Sequence, residues 1–279
     1  MQLLSESGGL RPNVTSQPHD TLYEMTISRA SLEVFFDTLL QPKLFADYGP
    51  NGLQVEGSEQ IAKVAFAVSA TAESIAAAVA FGAQALVVHH GLLWKFHGAR
   101  PIAGPFARRM IPLIKHDINL FGFHLPLDGH PEIGNAASLA HRIGLSDLAP
   151  FGDYQGMPTG VKGVFAEPKR AGELQTQLQF TLDHEVLLAS PDTGGPVRSL
   201  GIITGGANGE WKLAAAQGLD AYLTGEMSEH DWHESREAGL YMFAGGHHAT
   251  ERFGIQALME RVQAVFELEC LFVDSANPA

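Results

Sequence analysis

The sequence predicts an α/β fold made of two related, intertwined α/β halves with mostly parallel central sheets. Three observations support this: short apolar segments alternate with helical ones, the order strand–helix–strand occurs twice, and the two copies align with each other. The chain has 279 residues, of which 45% are hydrophobic and 18% charged. This composition is that of a globular protein large enough for a substantial core.

The first α/β unit follows residue 26. In chain order it contains a predicted helix in SRASLEVFFDTLL, a loop in FADYGPNGLQVEG, a strand in VAFAVSA, a helix in TAESIAAAVAFG and a strand in AQALVVHH. Ser28 or Ser31 is a suitable N-cap for the first helix, and Gly82 ends the second. The loop is rich in Gly, Pro and Asn, which break regular structure. Strand, helix and strand in succession favour parallel pairing.

The second unit repeats this order. It contains a predicted strand in SLGIITGG, a helix in GEWKLAAAQG that ends at Gly218, and a strand in LDAYLTGE. When FGAQALVVHH is aligned with QGLDAYLTGE, the glycines and the apolar runs coincide. Each copy continues into a further short strand and then a glycine-initiated helix, in GNAASLAHRIG and GIQALMERVQAVF. We therefore predict two related halves.

The segment between the two units adds a further β-α-β stretch, in KGVFAEP, AGELQTQLQF and EVLLASP. No long linker separates the units, so we expect the halves to be intertwined. The predicted division is a flexible N-terminal tail over residues 1–25, a first α/β domain over 26–129 plus 237–279, and a second over 130–236. The first domain is expected to carry most of the functional residues.

Charge and cysteine content exclude several classes of protein. The formal net charge of −13 argues against sequence-independent nucleic-acid binding and against docking on anionic membranes, since both need clustered lysine and arginine. Cys270 is the only cysteine, so an intrachain disulfide and a thiolate zinc site are excluded. The sequence has neither a signal-peptide pattern nor an apolar run of about 20 residues. We expect a cytoplasmic protein.

Three predicted strand ends carry residues of the types that commonly bind metals. The strand in ALVVHH ends on His89 and His90, and each of the two later strands ends in a histidine followed four residues on by a carboxylate. Those two pairs are His124 with Asp128 and His247 with Glu251. In a straight strand such a pair lies roughly 13 Å apart, too far to share an ion. The chain must therefore turn or coil after each histidine.

Imidazole and carboxylate are the ligands that zinc, manganese, iron and cobalt use when thiolates are absent. A bridging carboxylate can hold two ions about 3.5–4 Å apart and so activate water, and both Asp128 and Glu251 are candidates for that bridge. Strand ends of open α/β sheets are also where ligands usually bind. Histidines also cap strands without any metal, but three such features at corresponding ends favour a metal centre.

Other motifs are weaker. In EMSEHDWHES, His230 and His233 would share one helical face, which suits either a metal-proximal role or an ordinary solvated helix. His97 either reaches the same site or lies in a loop. The Gly205–Gly206 turn before a helix could cradle phosphate, but it lacks a P-loop signature.

The chain resembles the NIF-three-like dinuclear-metal family, whose members are often called type 2 GTP cyclohydrolase homologues. The resemblance covers about Ile27 to Phe272, and the motifs that carry it are DYGPNGLQVEG, ALVVHHGLLW, FHLPLDGHPEIGN, LTGEMSEHDWH and GGHHATERFGIQAL. One departure is DYGPNG, where the family tends to have a shorter Asp-Asn-x-Gly turn, which leaves the role of Asn51 open.

The resemblance implies two divalent metal ions (Zn, Fe, Mn or Co) bound by His89, His90, Asp128, His247 and Glu251. It places His124 and His233 near the site as catalytic or supporting residues. It also implies two interlocked α/β halves and a toroidal homohexamer, a trimer of dimers, with the metal sites facing an internal cavity.

These observations favour a metal-dependent hydrolase, and the resemblance implies a nucleotide-like substrate such as GTP. The alternative from another class is a non-catalytic metal-binding assembly with a regulatory or interaction role. An open coordination position would favour catalysis, and ions closed off by protein ligands would favour a structural role. A third interpretation, an α/β protein without metal, predicts that His89→Ala and Glu251→Ala change neither metal content nor activity.

Overall fold

The structure, a computed structural model, describes residues 25–192 and 194–279, so the predicted N-terminal tail lies outside the described residues except for Met25. The helices are α1 (Arg29–Leu40), α2 (Ala72–Phe81), α3 (Gly104–Lys115), α4 (Leu125–Asp128), α5 (Asn135–Arg142), α6 (Ala171–Leu182), α7 (Trp211–Ala216), α8 (Glu229–Glu237), α9 (His247–Thr250) and α10 (Arg252–Phe266). The strands are β1 (Ile27–Ser28), β2 (Gly52–Val55), β3 (Gln60–Ile61), β4 (Lys63–Ser69), β5 (Ala85–His90), β6 (Asn119–Gly122), β7 (Leu145–Phe151), β8 (Gly160–Lys169), β9 (Leu187–Ala189), β10 (Val197–Ile202), β11 (Ala221–Thr224), β12 (Tyr241–Ala244) and β13 (Glu269–Phe272).

A five-stranded sheet has the order β13-β4-β5-β6-β2 and is parallel except for the edge strand β2. Helices α1 and α10 cover one face, where Phe36 packs its ring 4.9 Å from that of Phe123, and α2 and α3 contribute to the core on the other face. Each fully buried phenylalanine of this kind stabilises the fold by roughly 1.5–3 kcal/mol. The predicted α/β fold with a mostly parallel sheet is confirmed here.

A six-stranded sheet has the order β7-β8-β10-β11-β12-β9. Its three central strands β10, β11 and β12 are parallel, but β7, β8 and β9 pair antiparallel with their neighbours, so the prediction of mostly parallel pairing is wrong for this sheet. The connection explains this for β7 and β8, because residues 152–159 join them directly as a hairpin, whereas parallel neighbours need a long crossover. Strand patterns alone do not reveal this direction.

The domain boundaries stay a prediction, but the structure shows which segments belong to which sheet. Strand β12, which the prediction gave to the first domain, pairs inside the six-stranded sheet. The chain then returns through α10 to β13, which pairs with β4 in the five-stranded sheet. The segment after residue 237 therefore contributes to both sheets.

Most predicted elements are present. Helix α1 begins after Ser28, whose hydroxyl accepts a hydrogen bond from the Ser31 backbone N–H, and α2 ends at Gly82 with a φ of 73°. The predicted loop FADYGPNGLQVEG is only partly a loop, because Gly52–Val55 forms strand β2. Its pairing with β6 shifts register between Leu53 and Val55, and such an irregular edge strand has no clear alternating pattern to detect.

The parallel strands bring their carboxyl ends to one edge of each sheet. After β6 the chain enters the single helical turn α4, and after β12 it enters the single turn α9. The predicted coiling after His124 and after His247 is therefore confirmed. No helix in residues 25–192 or 194–279 is long and apolar enough to span a membrane.

Candidate metal centre

The strand ends of both sheets converge on one cluster of imidazoles and carboxylates. Three overlapping groups each have their ligand atoms within 4.8 Å of one another: His89, His90 and His124; His90, His247 and Glu251; and His89, Asp128 and Glu251. The cluster therefore brings together all five residues predicted as ligands, and it adds His124.

Glu251 occupies the centre of this cluster and is 3% exposed. Its Oε1 lies 3.5 Å from His89 Nε2, while its Oε2 lies 3.3 Å from His90 Nε2 and 3.2 Å from His247 Nε2. The two oxygens of one carboxylate thus face two different sets of imidazoles, as a bridge between two ions requires.

Asp128 is arranged differently. Its Oδ2 lies 3.5 Å from His89 Nε2, but its Oδ1 accepts hydrogen bonds from the Asn135 amide at 2.9 Å and from the Thr204 hydroxyl at 3.3 Å. Since one oxygen is engaged by the protein, only the other is directed at the cluster. Of the two carboxylates predicted as bridges, Glu251 has the geometry of one and Asp128 has that of a terminal ligand.

Each histidine of the cluster is held through its Nδ1. His89 contacts the Phe123 carbonyl at 2.9 Å and His90 the Ser69 hydroxyl at 3.0 Å. The other two contact carboxylates, His124 with Asp47 at 2.7 Å and His247 with Glu226 at 2.6 Å. Such partners fix the ring orientation and make the imidazole a better ligand, which is how metal-binding histidines are usually supported.

In the absence of a bound cation, the close packing of the cluster shifts the pKa values of its imidazoles and carboxylates away from their ordinary values. Burial disfavours a charge on His89, yet Asp128 and Glu251 raise its pKa to about 10. Burial and the surrounding imidazoles lower the pKa of His90 to about 3. For His247, burial is outweighed by Glu251 and Glu226, which raise its pKa to about 9. Glu251 itself is held well below its usual pKa by His90 and His89, against the effect of its burial. Without a cation, the neighbouring carboxylates favour the protonated forms of His89 and His247, and a bound cation would take the place of those protons.

The buried donors fit a metal. Among the described residues, His89 Nε2 and Glu251 Oε2 are buried polar atoms without a hydrogen-bond partner. Leaving such an atom unsatisfied costs about 1–3 kcal/mol, so it calls for an explanation. A cation at the centre of the cluster would satisfy both atoms, and nitrogen–oxygen donor sets of this kind suit first-row divalent ions.

Gly205 makes room for the central carboxylate. It follows β10 with a φ of 69°, and a β-carbon at this position would overlap Glu251 Oε1. Next to it, Gly206 lies close to the ring of His247. The Gly205–Gly206 turn, which the sequence offered as a phosphate cradle, thus serves here as a close-packing turn against the cluster.

The loop between α1 and β2 supplies a support that sequence reasoning missed. Asp47 is buried and also accepts hydrogen bonds from the Leu125 backbone N–H and the Asn51 amide, both at 2.9 Å. Asn51 in turn accepts a hydrogen bond from the backbone N–H of His124 at 2.8 Å. This contact gives the role of Asn51 that the unusual DYGPNG turn had left open. The sequence signal was a polar, glycine-rich loop with an aspartate, which is too common to identify.

His233 lies apart from the cluster. It belongs to α8, its side chain is 55% exposed, and it contacts Glu229 at 3.2 Å and the ring of Trp232. Neither His233 nor His97 is among the described residues that line the cavity beside the cluster. Glu226, from the same EMSEHDWHES motif, does reach the site through its contact with His247.

The cluster opens into a cavity of about 690 Å³. His90, His124, Asp128, His247 and Glu251 line its inner end. Aromatic residues from loops next to both sheets and residues 203, 204, 206 and 207 after β10 are among the other residues that line it. A volume in this range accommodates a small organic molecule next to the cluster.

Comparisons with known proteins find similar chains over most of this sequence. The profile of Duf34/NIF3 (NGG1p interacting factor 3) matches residues 27–278. A Pasteurella multocida protein called "GTP cyclohydrolase 1 type 2 homolog" is 41% identical over 248 residues, which are 89% of this chain and 98% of the relative. An Escherichia coli protein of the same name is 40% identical over 255 residues, 91% of this chain and 100% of the relative.

Solved structures extend the comparison. The protein ybgI, described as of unknown function, is 40% identical with a TM-score of 0.83, over 91% of this chain and 100% of that one. TTHA1606 from Thermus thermophilus is 34% identical with a TM-score of 0.81, over 91% and 100% of the two chains. Reduced HcgD from Methanocaldococcus jannaschii, at 23% identity and a TM-score of 0.78, shares the fold over 90% of this chain and 99% of its own.

Proposed function

The chain belongs to the Duf34/NIF3 family, and on this premise we propose that it is a metal-dependent hydrolase with two divalent ions that acts on a nucleotide-like molecule. The observation that carries the proposal is the position of Glu251 between two sets of imidazoles. We assign one ion to His89, Asp128 and Glu251, and the other to His90, His247 and Glu251. Zn, Fe, Mn and Co all suit these donors.

Two ions held by these residues would supply the Lewis acidity that makes water a nucleophile near neutral pH. The protein supplies the remaining functions. Asp47 engages Nδ1 of His124, so this imidazole can exchange a proton only through Nε2. His124 lines the cavity and lies at the cluster, which suits it to carry a proton to or from a reacting group. His233 was predicted for the same task, but its position on α8 favours His124.

The names of the relatives support a nucleotide-like substrate, and GTP is the first to test. The protein loaded with metal should change the ultraviolet spectrum of GTP as the guanine ring opens, and a His124→Ala variant should slow this reaction while keeping its metal. His233→Ala serves as the comparison and should leave the rate within a few-fold. If the metal-loaded protein hydrolyses neither GTP nor other nucleotides, the hydrolase proposal fails and the non-catalytic metal-binding assembly takes its place.

We also propose that the protein is cytoplasmic and assembles into a toroidal homohexamer, a trimer of dimers. Such an assembly would be able to cover exposed apolar side chains, among which Phe180 is 88% exposed and Val34 is 66% exposed. Light scattering coupled to size exclusion measures the mass in solution. A mass of about six chains supports the hexamer, and a mass of one chain contradicts it.

A further inference from the structure

A continuous series of aromatic rings runs along one wall of the cavity to the metal cluster. Phe96 stacks on Trp94 with ring centroids 5.6 Å apart and an interplanar angle of 19°. Trp94 meets His124 edge-on at 5.1 Å, and His124 meets Tyr48 at 5.9 Å. Tyr48 continues to Tyr154 at 4.9 Å. All five rings line the cavity.

These rings are not part of the hydrophobic core. Phe96 is 70% exposed and Tyr48 is 41% exposed, so their faces are available to a ligand. Trp94 is fixed, because its indole N–H donates to the Gly91 carbonyl at 3.0 Å. With that donor engaged, the indole offers the cavity its ring surface. Burial and the neighbouring Tyr154 raise the pKa of Tyr48 to about 12, so its phenol stays uncharged.

The charges around the cavity are negative. No lysine or arginine occurs among the described residues that line it, whereas Asp153 and Glu210 do, in addition to the carboxylates at the cluster. Lys95, which lies between Trp94 and Phe96 in the sequence, donates to the Asp47 backbone carbonyl at 2.6 Å. Proteins that bind polyphosphates direct lysine, arginine or a glycine-rich helix start at the phosphates.

Two bound divalent ions would not make the net charge of the cavity positive. This statement rests on the proposed function, which supplies the two ions. Two divalent ions add four positive charges, and the carboxylates of Asp47, Asp128, Glu226 and Glu251 carry up to four negative ones. Asp153 and Glu210 then leave the cavity negative. A negative cavity with aromatic walls attracts a flat ring that is uncharged or positive, because the ring faces carry negative electrostatic potential.

We propose that the cavity binds a planar heteroaromatic ring, uncharged or positively charged, against the wall formed by Trp94, Phe96 and Tyr48. A nucleotide would enter with its base first, and its phosphate chain would stay outside the cavity. The recognised part of the substrate is therefore the ring, and the phosphates contribute no affinity.

Binding of three probes to the metal-loaded protein tests the proposal by calorimetry: guanosine, 7-methylguanosine, whose ring is cationic, and GTP. We expect guanosine to bind at least as tightly as GTP, and 7-methylguanosine at least five-fold more tightly than guanosine. GTP that binds more tightly than guanosine would overturn the proposal, since the phosphates would then contribute affinity.

Variants locate the ring. Trp94→Leu should weaken guanosine binding about 5- to 150-fold, the range for loss of one base-stacking platform, and Trp94→Phe should restore most of it. Phe96→Leu tests an exposed position where the fold is not at risk and should weaken binding several-fold. Trp232→Leu, on α8 and outside the cavity lining, is the matched control and should bind as the wild type does.

Metal content of the same samples separates the two proposals. A protein that holds its metal and binds guanosine through Trp94 but hydrolyses nothing refutes the hydrolase and leaves the ring site standing. A protein that holds its metal but binds none of the three probes refutes the ring site. The ring site is also refuted if Trp94→Leu and Phe96→Leu change only the mass of the assembly and not the binding of the probes. The aromatic wall would then be a contact between chains.

Discussion

Gly205 and Glu251, one after β10 and the other after α9, are packed so closely that a β-carbon on Gly205 would overlap Oε1 of the carboxylate. Gly205→Ala should therefore displace Glu251 and reduce the bound metal from about two ions per chain to one or none. The backbone contributes a further effect, since an alanine at a φ of 69° is strained by about 1–2 kcal/mol.

A second glycine separates these effects. Gly218 has the same φ of 69°, but a β-carbon there meets nothing within 4 Å. Gly218→Ala should lose a similar amount of stability in urea denaturation and keep its full metal content by elemental analysis. Equal metal content in the two variants would show that the contact with Glu251 is unimportant.

Glu251→Gln should lower the metal content to one ion per chain or none, because a neutral amide cannot bridge two cations as a carboxylate does. Elemental analysis of protein purified without chelators measures this directly. Glu260→Gln, an exposed position on α10, is the control and should retain the wild-type content. Two ions per chain in Glu251→Gln would refute the bridge.

Asp47→Asn should slow the proposed hydrolysis about 10- to 100-fold at unchanged metal content. The substitution keeps the size of the side chain but removes the carboxylate that holds Nδ1 of His124, and support of this kind typically accounts for such a factor. The measurement is kcat together with its pH profile, which a purely structural change would leave in shape. Asp37→Asn, exposed on α1, should have the wild-type rate and profile.

Asp231, on α8, should stabilise the part of the fold around the six-stranded sheet in a pH-dependent way. This buried carboxylate accepts hydrogen bonds from the Trp211 indole at 3.0 Å, the Asn208 amide at 2.6 Å and the Ser228 backbone N–H at 3.0 Å. Burial acts to raise its pKa, but these hydrogen bonds lower it below the usual 3.8. Asp231→Asn should lower the free energy of unfolding at pH 7 by about 1–3 kcal/mol.

The sign follows from the lowered pKa. The folded protein favours the ionised form, so the contribution of Asp231 is complete above its unfolded pKa and is lost as the pH falls below about 4. The difference between wild type and Asp231→Asn in urea denaturation should be constant from pH 7 to about 5 and shrink below that. Asp147→Asn, at an exposed position, is the control. A difference that grows on acidification would contradict the assignment.

The local elements and the residue types of the candidate centre could be predicted from the sequence alone. Ser28 and Gly82 mark helix ends through local hydrogen bonding and a left-handed φ, which depend only on neighbouring residues. The repeated strand ends identified His89, His90 and the two His-x-x-x-carboxylate pairs, because parallel strands deliver their carboxyl ends to one edge. The four-residue spacing of each His-x-x-x-carboxylate pair also predicted that the chain must coil after His124 and His247.

The arrangement of these groups depends on contacts between segments that are far apart in the sequence. Asp47 holds His124 across 77 positions of sequence and Glu226 holds His247 across 21, so neither contact can be identified from neighbouring residues. The path of the chain also determines that Glu251, and not Asp128, faces two sets of imidazoles. It likewise determines the antiparallel edges of the six-stranded sheet and the position of His233 away from the cluster. Local preferences act over a few residues, whereas the Asp47 and Glu226 contacts need distant strands to pair within a sheet. The contacts of Glu251 with His89 and His90 need the two sheets to pack together.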